Sequence, residues 1–307
     1  MTEPKKKTIW NAFAVNAPSI NNSQWKVQIF VKCKIGQVPR ENRREQKQNS
    51  QQDGIMDQTS KCGCCAATGG PGRYDRQLPI FGAAGQSRLA ESSVFIAGAG
   101  GLGSPAATYL AAAGVGRIVL LDCDSVEVTN LNRQFLHHAA DIGRKKAESG
   151  CDKLKSLNPE IGISAVCERM TRENVGDLVG SCRIIVDALD NNETRRILAE
   201  YAVRTKRPYF HAAVSGYLGQ LASFYPEKGP CYFCVFSEPE EESKTIFPII
   251  GATAGIIGSM QANEVIKYIT GTGSSNAGKL FVWDGLAGTL DVIETERNGE
   301  CPFCRGR

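Results

Sequence analysis

The stretch VFIAGAGGLGSPA, residues 94 to 106, constrains the fold more than any other segment. A short apolar run enters a glycine-rich turn, and Gly98, Gly100 and Gly103 keep the spacing G-x-G-x-x-G. Glycines permit a tight turn, and the helix beyond it offers free N–H groups to a phosphate. SPAATYLAAAG predicts that helix, with a stop at Gly114. GRIVLLDCD then supplies a second strand and completes a βαβ unit of about thirty residues. Asp122 ends this strand about twenty residues past the turn, where a carboxylate accepts hydrogen bonds from ribose hydroxyls. The fingerprint and the acid together indicate a nucleotide with a ribose. They do not choose between a nicotinamide dinucleotide and ATP.

The following segments make that choice. DSVEVTNLNRQF puts Asn130 and Arg133 just past the second strand, and Lys146 follows in IGRKKAES. Two cations near a nucleotide suit charge developing on a polyphosphate that is being cleaved. A dehydrogenase leaves its diphosphate intact and has no such need. CRIIVDALD predicts a further strand that carries Asp190 to its end, beyond the carboxyl edge of the sheet where ligands bind in open α/β folds. Asp190, beside Asn191, could hold magnesium against phosphate oxygens. It could equally cap the helix NETRRILAEYAVRTK.

Further elements repeat the alternation. A helix is expected from Lys145 to Leu157, then a strand over GISAVCERM. After Pro208 the texture turns to antiparallel strands in YFHAAVSG, GYLGQLASFYP and GKLFVWDG, with a helix over Ile256 to Tyr268. The fold class expected is α/β: a Rossmann-like doubly wound sheet continuing into antiparallel strands. Residues 1 to 72 are different. They include the polar, basic stretch VPRENRREQKQNSQQDG, too poor in apolar surface to offset its ordering entropy. We expect a low-complexity extension over 1 to 72, with an isolated strand at Trp25 to Lys32, and one domain over 73 to 307.

Composition limits the alternatives. The net charge of +4 is too small to argue for nucleic acid. The uncharged stretches Val94 to Gly116 and Thr245 to Asn263 are rich in small residues and read as strand, turn and buried helix, not membrane spans. The opening MTEPKKKTIWNAF has no apolar core followed by a cleavage site, so no signal peptide is expected and the cytoplasm is the expected compartment.

Twelve cysteines in a reducing compartment direct attention to metal chemistry. Cys231 and Cys234 stand in CYFC, and Cys301 and Cys304 in CPFC. Two C-x-x-C pairs suit a closed, structural four-thiolate zinc site that pins the C-terminal tail to the sheet. Cys123, Cys151, Cys167 and Cys182 lie singly in or beside regular elements and read as small buried residues. Cys62, Cys64 and Cys65 cluster in KCGCCAATGG without a defined role.

From Arg73 to Arg307 the chain resembles the ThiF/MoeB/HesA adenylating enzymes, relatives of the ubiquitin-activating enzymes. RYDRQ, GAGGLGSPAATYLAAAGVGRIVLLDCDSVEVTNLNRQ, IGRKKAE, DALDN, CYFC, GIIGSMQANEVIK and CPFC carry the resemblance, in that order. It implies that Gly101 and its neighbours contact the nucleotide and Asp122 its ribose. Thr129, Asn130, Leu131, Asn132 and Arg133 would bind the phosphates with Lys146, and Asp190 would coordinate magnesium. Arg76, in RYDRQ, would reach ATP in the other subunit of a homodimer. The reaction implied is adenylation of the C-terminal Gly-Gly carboxylate of a ubiquitin-like sulfur carrier, for thiamine, molybdopterin or another thiolated product. Related enzymes activate a carboxylate on modified tRNA. A scaffold that binds nucleotide without turnover is the other alternative.

One departure stands out. Several relatives carry a cysteine in the loop over the partner's tail, but Glu238 to Pro248 contains none, with Lys244 or Thr245 near the expected position. Adenylation without an enzyme–carrier thioester on this loop is therefore expected. A carrier fused at the N-terminus is not expected, because Gly70 is followed by Pro71 and has no free carboxylate.

Overall fold

The computed structural model describes residues 72 to 226, 228 to 236 and 248 to 305. Residues 1 to 71, with the expected strand at Trp25 to Lys32 and the cysteines Cys62, Cys64 and Cys65, and residues 237 to 247, with Lys244 and Thr245, lie outside the described residues.

The chain enters through α1 (Leu78–Ala90) and builds β1 (Ser93–Ala97), α2 (Gly103–Ala113) and β2 (Arg117–Leu121). Then come α3 (Lys146–Leu157), β3 (Gly162–Val166), α4 (Val175–Val179), β4 (Ile184–Asp187) and α5 (Asn192–Arg204). The second half holds β5 (Tyr209–Ser215), β6 (Leu218–Phe224), the short α6 (Tyr232–Val235), α7 (Gly251–Thr270), β7 (Lys279–Asp284) and β8 (Thr289–Glu294). One eight-stranded sheet runs in the order β3-β2-β1-β4-β5-β6-β7-β8. Its first five strands are parallel and the pairs from β5 to β8 are antiparallel, the architecture expected from the sequence.

β1 lies inside the parallel half, and Val94, Phe95, Ile96 and Ala97 are fully buried. Alternate residues feed opposite faces, because a strand's side chains alternate. Val94 and Ile96 join Leu110 and Ala107 of α2, Leu154 of α3 and Val265 of α7. Phe95 and Ala97 join Leu178 of α4 and Leu198 and Tyr201 of α5. Each fully buried large side chain of this kind contributes about 1.5–3 kcal/mol. This double cover fixes β1 and therefore the turn at its C-terminal end.

Several boundaries differ from the sequence reading. α2 ends where expected, with Gly114 in the left-handed conformation. α7 begins five residues before the expected Ile256 and runs two beyond Tyr268. β3 stops at Val166, short of the full GISAVCERM run. α1 has no expectation behind it; its Arg88 donates to the carbonyls of Ile269 and Thr270 at the end of α7. β4 ends at Asp187, so Asp190 is not at a strand end. The Asp187 carboxylate accepts from its own Leu189 N–H (3.1 Å), a local bond that competes with the ladder and turns the chain.

Candidate nucleotide site and cysteine cluster

The glycine turn is the meeting point of the candidate site. Gly98 has φ +104, and a Cβ there would stand 2.5 Å from the Ala188 carbonyl beyond β4. Gly103 has no room for a side chain either, since a Cβ would come within 1.9 Å of the Gly98 carbonyl. The motif glycines therefore let the turn fold onto the start of α2. Ala99 N–H donates to Asp122 Oδ2 (2.8 Å), and Asp124 N–H donates to Asp122 Oδ1 (2.9 Å). Burial raises the Asp122 pKa, against those two hydrogen bonds and the nearby Lys146 charge. Each carboxylate oxygen still has acceptor capacity for a ribose hydroxyl. Gly100 and Gly101 face the next segment: a Cβ at Gly100 would lie 3.5 Å from Gln134 Nε2, and one at Gly101 3.7 Å from Arg133 Cγ. Buried Ser104 Oγ and Gln134 Oε1 have no partner among the described residues, which leaves polar capacity beside the turn.

Thr129, Asn130, Leu131, Asn132 and Arg133 form the far wall. A short 3-10 turn spans Val128–Asn130, and buried Asn130 holds it by accepting from Glu127 N–H (3.0 Å). Asn130 is thus a structural member of this wall, with its Oδ1 turned onto the backbone. Arg133 folds over the same turn and donates to the Thr129 carbonyl (2.8 Å) and to Asn132 Oδ1 (3.0 Å). Lys146 is buried at the first position of α3 and pairs with Asp124 at 3.1 Å. A cation at a helix N-terminus opposes the helix dipole, so Asp124 offsets a local cost. The sequence reading missed Asp124, although its signal was present as the second acid of DCD.

Asp190 is exposed and makes no hydrogen bond or ion pair among the described residues. Of the two roles open to it, capping belongs to its neighbour: Asn191 Oδ1 accepts from Thr194 N–H (2.9 Å). Asp190 lies one residue past Leu189, whose backbone would be 3.5 Å from a Cβ at Gly98. Asp122, Arg133, Lys146 and Asp190 therefore surround one turn at the carboxyl edge of the parallel strands.

Beneath this edge lies a buried network with no counterpart in the sequence reading. The fully buried Asp187 accepts from Arg195 Nε (3.0 Å), Tyr209 OH (2.7 Å) and His211 Nδ1 (2.7 Å). Burial would raise its pKa, but Arg195, His211 and Tyr209 hold it down to about 2. Arg195 also donates to the Leu189 carbonyl, and Gln261 of α7 donates to the carbonyls of Asp187 and Phe210, both at 2.8 Å. These bonds fix the loop that presents Asp190. No periodicity marks them, because their partners are spread over α5, β4, β5 and α7.

The four paired cysteines converge. Sγ separations are 3.7 Å for Cys231–Cys234, 3.7 Å for Cys231–Cys301 and 3.4 Å for Cys234–Cys304, and all four sulfurs lie within 4.8 Å of one another. Thiolates on a tetrahedral zinc stand about 3.8 Å apart for bonds of about 2.3 Å, so the set fits that metal. The hydrogen bond with Cys234 and burial push the Cys231 thiol far up, while that bond draws Cys234 down to about 4. Burial raises Cys304 to about 11. Such a cluster calls for a cation if all four are to ionise. Phe233 and Phe303 stack at 3.7 Å beside it, with the Arg196 guanidinium 5.2 Å from the Phe233 ring centre. Cys151 and Cys182 are buried, whereas Cys123 and Cys167 are half-buried at the carboxyl ends of β2 and β3.

Arg76 stands apart. It is exposed, next to Gln77, whose amide donates to the Ala113 carbonyl at the far end of α2 (2.8 Å). α2 is about 16 Å long, so one chain does not bring Arg76 to its own glycine turn. Among the described residues no helix is long and apolar enough to cross a membrane.

A glycine turn bonded to a buried acid after β2, Arg133 and Lys146 beside it, and a sheet that passes from parallel to antiparallel place the chain among α/β nucleotide-binding folds, and its relatives make it an adenylating enzyme. The chain belongs to the ThiF family, whose model matches residues 74–303. A sulfur carrier protein adenylyltransferase of Thermus thermophilus is 38% identical over 243 residues, which is 76% of this chain and 90% of that one. A SAMP-activating enzyme E1 of Haloferax volcanii is 37% identical over 238 residues, 76% and 88% of the two chains. The mouse adenylyltransferase and sulfurtransferase MOCS3 is 40% identical over 239 residues, and this match covers 52% of its length. In fold the chain resembles the microcin C7 biosynthetic enzyme MccB of a complex with N-formylated MccA, with TM-score 0.71, 24% identity, and coverage of 76% and 75%.

Proposed function

We propose that this chain adenylates the C-terminal glycine carboxylate of a ubiquitin-like sulfur carrier. A carboxylate oxygen attacks the α-phosphorus of ATP, the bond to the bridging oxygen of the β-phosphate breaks, and pyrophosphate leaves with an acyl-adenylate left behind. The observation that carries this reading is the shared turn. One loop, Gly98 to Gly101, touches the acid after β2, the wall bearing Arg133 and the loop bearing Asp190. Like charges repel during such an attack, so alignment and neutralisation are the main tasks of the site. Asp122 would hold the ribose, Arg133 and Lys146 the phosphates, and Asp190 a magnesium ion beside them. Zinc would sit on the four paired cysteines as a structural ion, since four thiolates leave no open position.

Arg76 would act on the ATP of a second subunit, which makes the homodimer part of the site. Its distance from its own glycine turn supports that reading. The absence of cysteine in Glu238 to Pro248 supports adenylation without a loop thioester, with sulfur from a separate donor for thiamine or molybdopterin synthesis. A reducing compartment such as the cytoplasm suits the free thiols.

Pyrophosphate–ATP exchange measured with candidate carriers tests the reading. Exchange should depend on a carrier with a free Gly-Gly end and vanish when that end is amidated. ATP binding without exchange for any carrier would instead support a scaffold. Mixing inactive Arg76→Ala and Asp190→Asn chains should restore part of the exchange if Arg76 works across the dimer; no recovery would remove it from the site.

A further inference from the structure

His137 is buried, 3% exposed, and bonded at both ring nitrogens, yet it has no place in the chemistry above. Its Nε2 lies 2.9 Å from the carbonyl of Ala99, the residue inside the glycine turn whose N–H is given to Asp122. Its Nδ1 lies 2.9 Å from Ser149 Oγ on α3, one turn after Lys146. Lys153 Nζ donates to the same Ser149 Oγ (2.9 Å) and to Asp141 Oδ2 (2.5 Å).

The hydrogens can be assigned by counting. A carbonyl only accepts, so Nε2 must carry the proton. In the neutral ring, which burial favours, Nδ1 is then an acceptor and takes the Ser149 hydroxyl hydrogen, while the ammonium of Lys153 supplies the other bond to Ser149. The chain of donors runs in one direction, from Lys153 through Ser149 and His137 to the Ala99 carbonyl. It joins α3, the helix that begins with Lys146, to the turn that touches the ribose acid.

We propose that neutral His137 is a positioning residue that fixes the glycine turn at a set distance from the phosphate-binding cation. This rests on the ATP reading given above. With both the N–H and the C=O of Ala99 held, the turn meets ATP already in place. Without His137, the Ala99 carbonyl is left buried without its donor, and the turn must be ordered again whenever ATP binds.

The arrangement also predicts acid sensitivity. The charged groups facing the imidazole are Lys146 and Lys153 of α3 and Asp141 of a second 3-10 turn, Ala139–Asp141. Burial lowers the His137 pKa, the Ala99 bond and Asp141 oppose this, and the two lysines lower it further. Asp141 is itself held down to about 2 by Lys153, the His138 N–H and Arg144, against its burial. Protonating His137 therefore places a third cation beside two lysines and takes away the acceptor for Ser149. The neutral form serves the turn, so affinity for ATP should fall as pH drops below the ordinary imidazole value.

Magnesium–ATP binding to the full chain, measured by titration calorimetry between pH 5 and 8, tests this. His137→Ala should weaken binding about tenfold at pH 7.5, the loss expected for one orphaned buried acceptor. His137→Gln keeps an N–H for the Ala99 carbonyl and does not titrate. It should bind within about threefold of the unaltered chain and lack its added loss of affinity at acid pH. The titration of ATP's own phosphate is common to both proteins and cancels in that comparison. Should His137→Ala not fold, the His137→Gln profile decides alone. Unchanged affinity in His137→Ala, or an acid loss in His137→Gln equal to that of the unaltered chain, would overturn the proposal. If the unaltered chain bound no magnesium–ATP, the ATP reading itself would fall and take this inference with it.

Discussion

The glycine turn and the cysteine cluster hold the chain at very different ranges. The turn is assembled largely from Gly98 to Lys146, a continuous run in which each element leads directly to the next. The cluster joins Cys231 and Cys234 to Cys301 and Cys304, with the facing partners 70 positions apart and a long helix and two strands on the way. Short-range sites can be ordered by turns and caps. A long-range closure needs a strong tie, because the loop entropy it removes is large. The difference predicts that the antiparallel half depends on metal and that the parallel half depends on packing.

The largest expected effect follows from that contrast. On the zinc reading proposed above, removing the ion from the full chain would take away a tie whose apparent worth in small zinc domains is about 10–16 kcal/mol. A chelator should expose β6, β7 and β8 to hydrogen exchange well before β1 and β2. Equal exchange in both halves, or none, would break the distinction. Next comes the network that links the halves. Asp187→Leu leaves Arg195 buried without its anion and should destabilise the fold by about 3–5 kcal/mol in urea unfolding. The same carboxylate gives a pH dependence. Its pKa is depressed, so its stabilisation is present above 3.8, the ordinary value, and is lost as pH falls through about 2. Acid unfolding of Asp187→Leu should lack that component.

Smaller effects separate chemistry from structure within the parallel half. Asp190→Asn should slow pyrophosphate exchange by about 10²–10³ and leave the melting temperature unchanged, because the side chain is exposed and unbonded. Its neighbour should behave in the opposite sense. Asn191→Ala removes the cap of α5 and should lower stability by about 1 kcal/mol, with a smaller change in exchange than Asp190→Asn. A melting loss for Asp190→Asn would show that the two roles are not divided in this way.

The sequence made much of this visible, for identifiable reasons. Gly98, Gly103 and Gly114 mark backbone geometry that other residues cannot adopt or fit, so the turn and the end of α2 could be read directly. The C-x-x-C pairs were readable because metal ligation restricts residue type and spacing. Asp187 was not, since an acid at the end of an apolar run resembles any strand terminus until Arg195, Tyr209 and His211 are brought to it. The end of β4 was misplaced for the same reason. His137 was equally silent, being defined by Ser149 on α3 and the Ala99 carbonyl, while Asp124 showed only as the second acid of DCD until Lys146 met it.

The sequence alone determined the βαβ unit around the glycine turn, the passage from parallel to antiparallel strands, the acid after β2 and the two C-x-x-C pairs, while α1, α4, α6 and β8 carried no expectation. These features depend on local conformation and on the chemistry of single residue types. The tertiary structure decided that Asn191 caps α5 and leaves Asp190 free. It also showed that Lys146 rests on Asp124 and that Asp187 takes hydrogen bonds from three side chains, of which Arg195 supplies the opposing charge. Each of these is a matter of which group fills the space beside a buried charge, and residues far apart along the chain supply the answer.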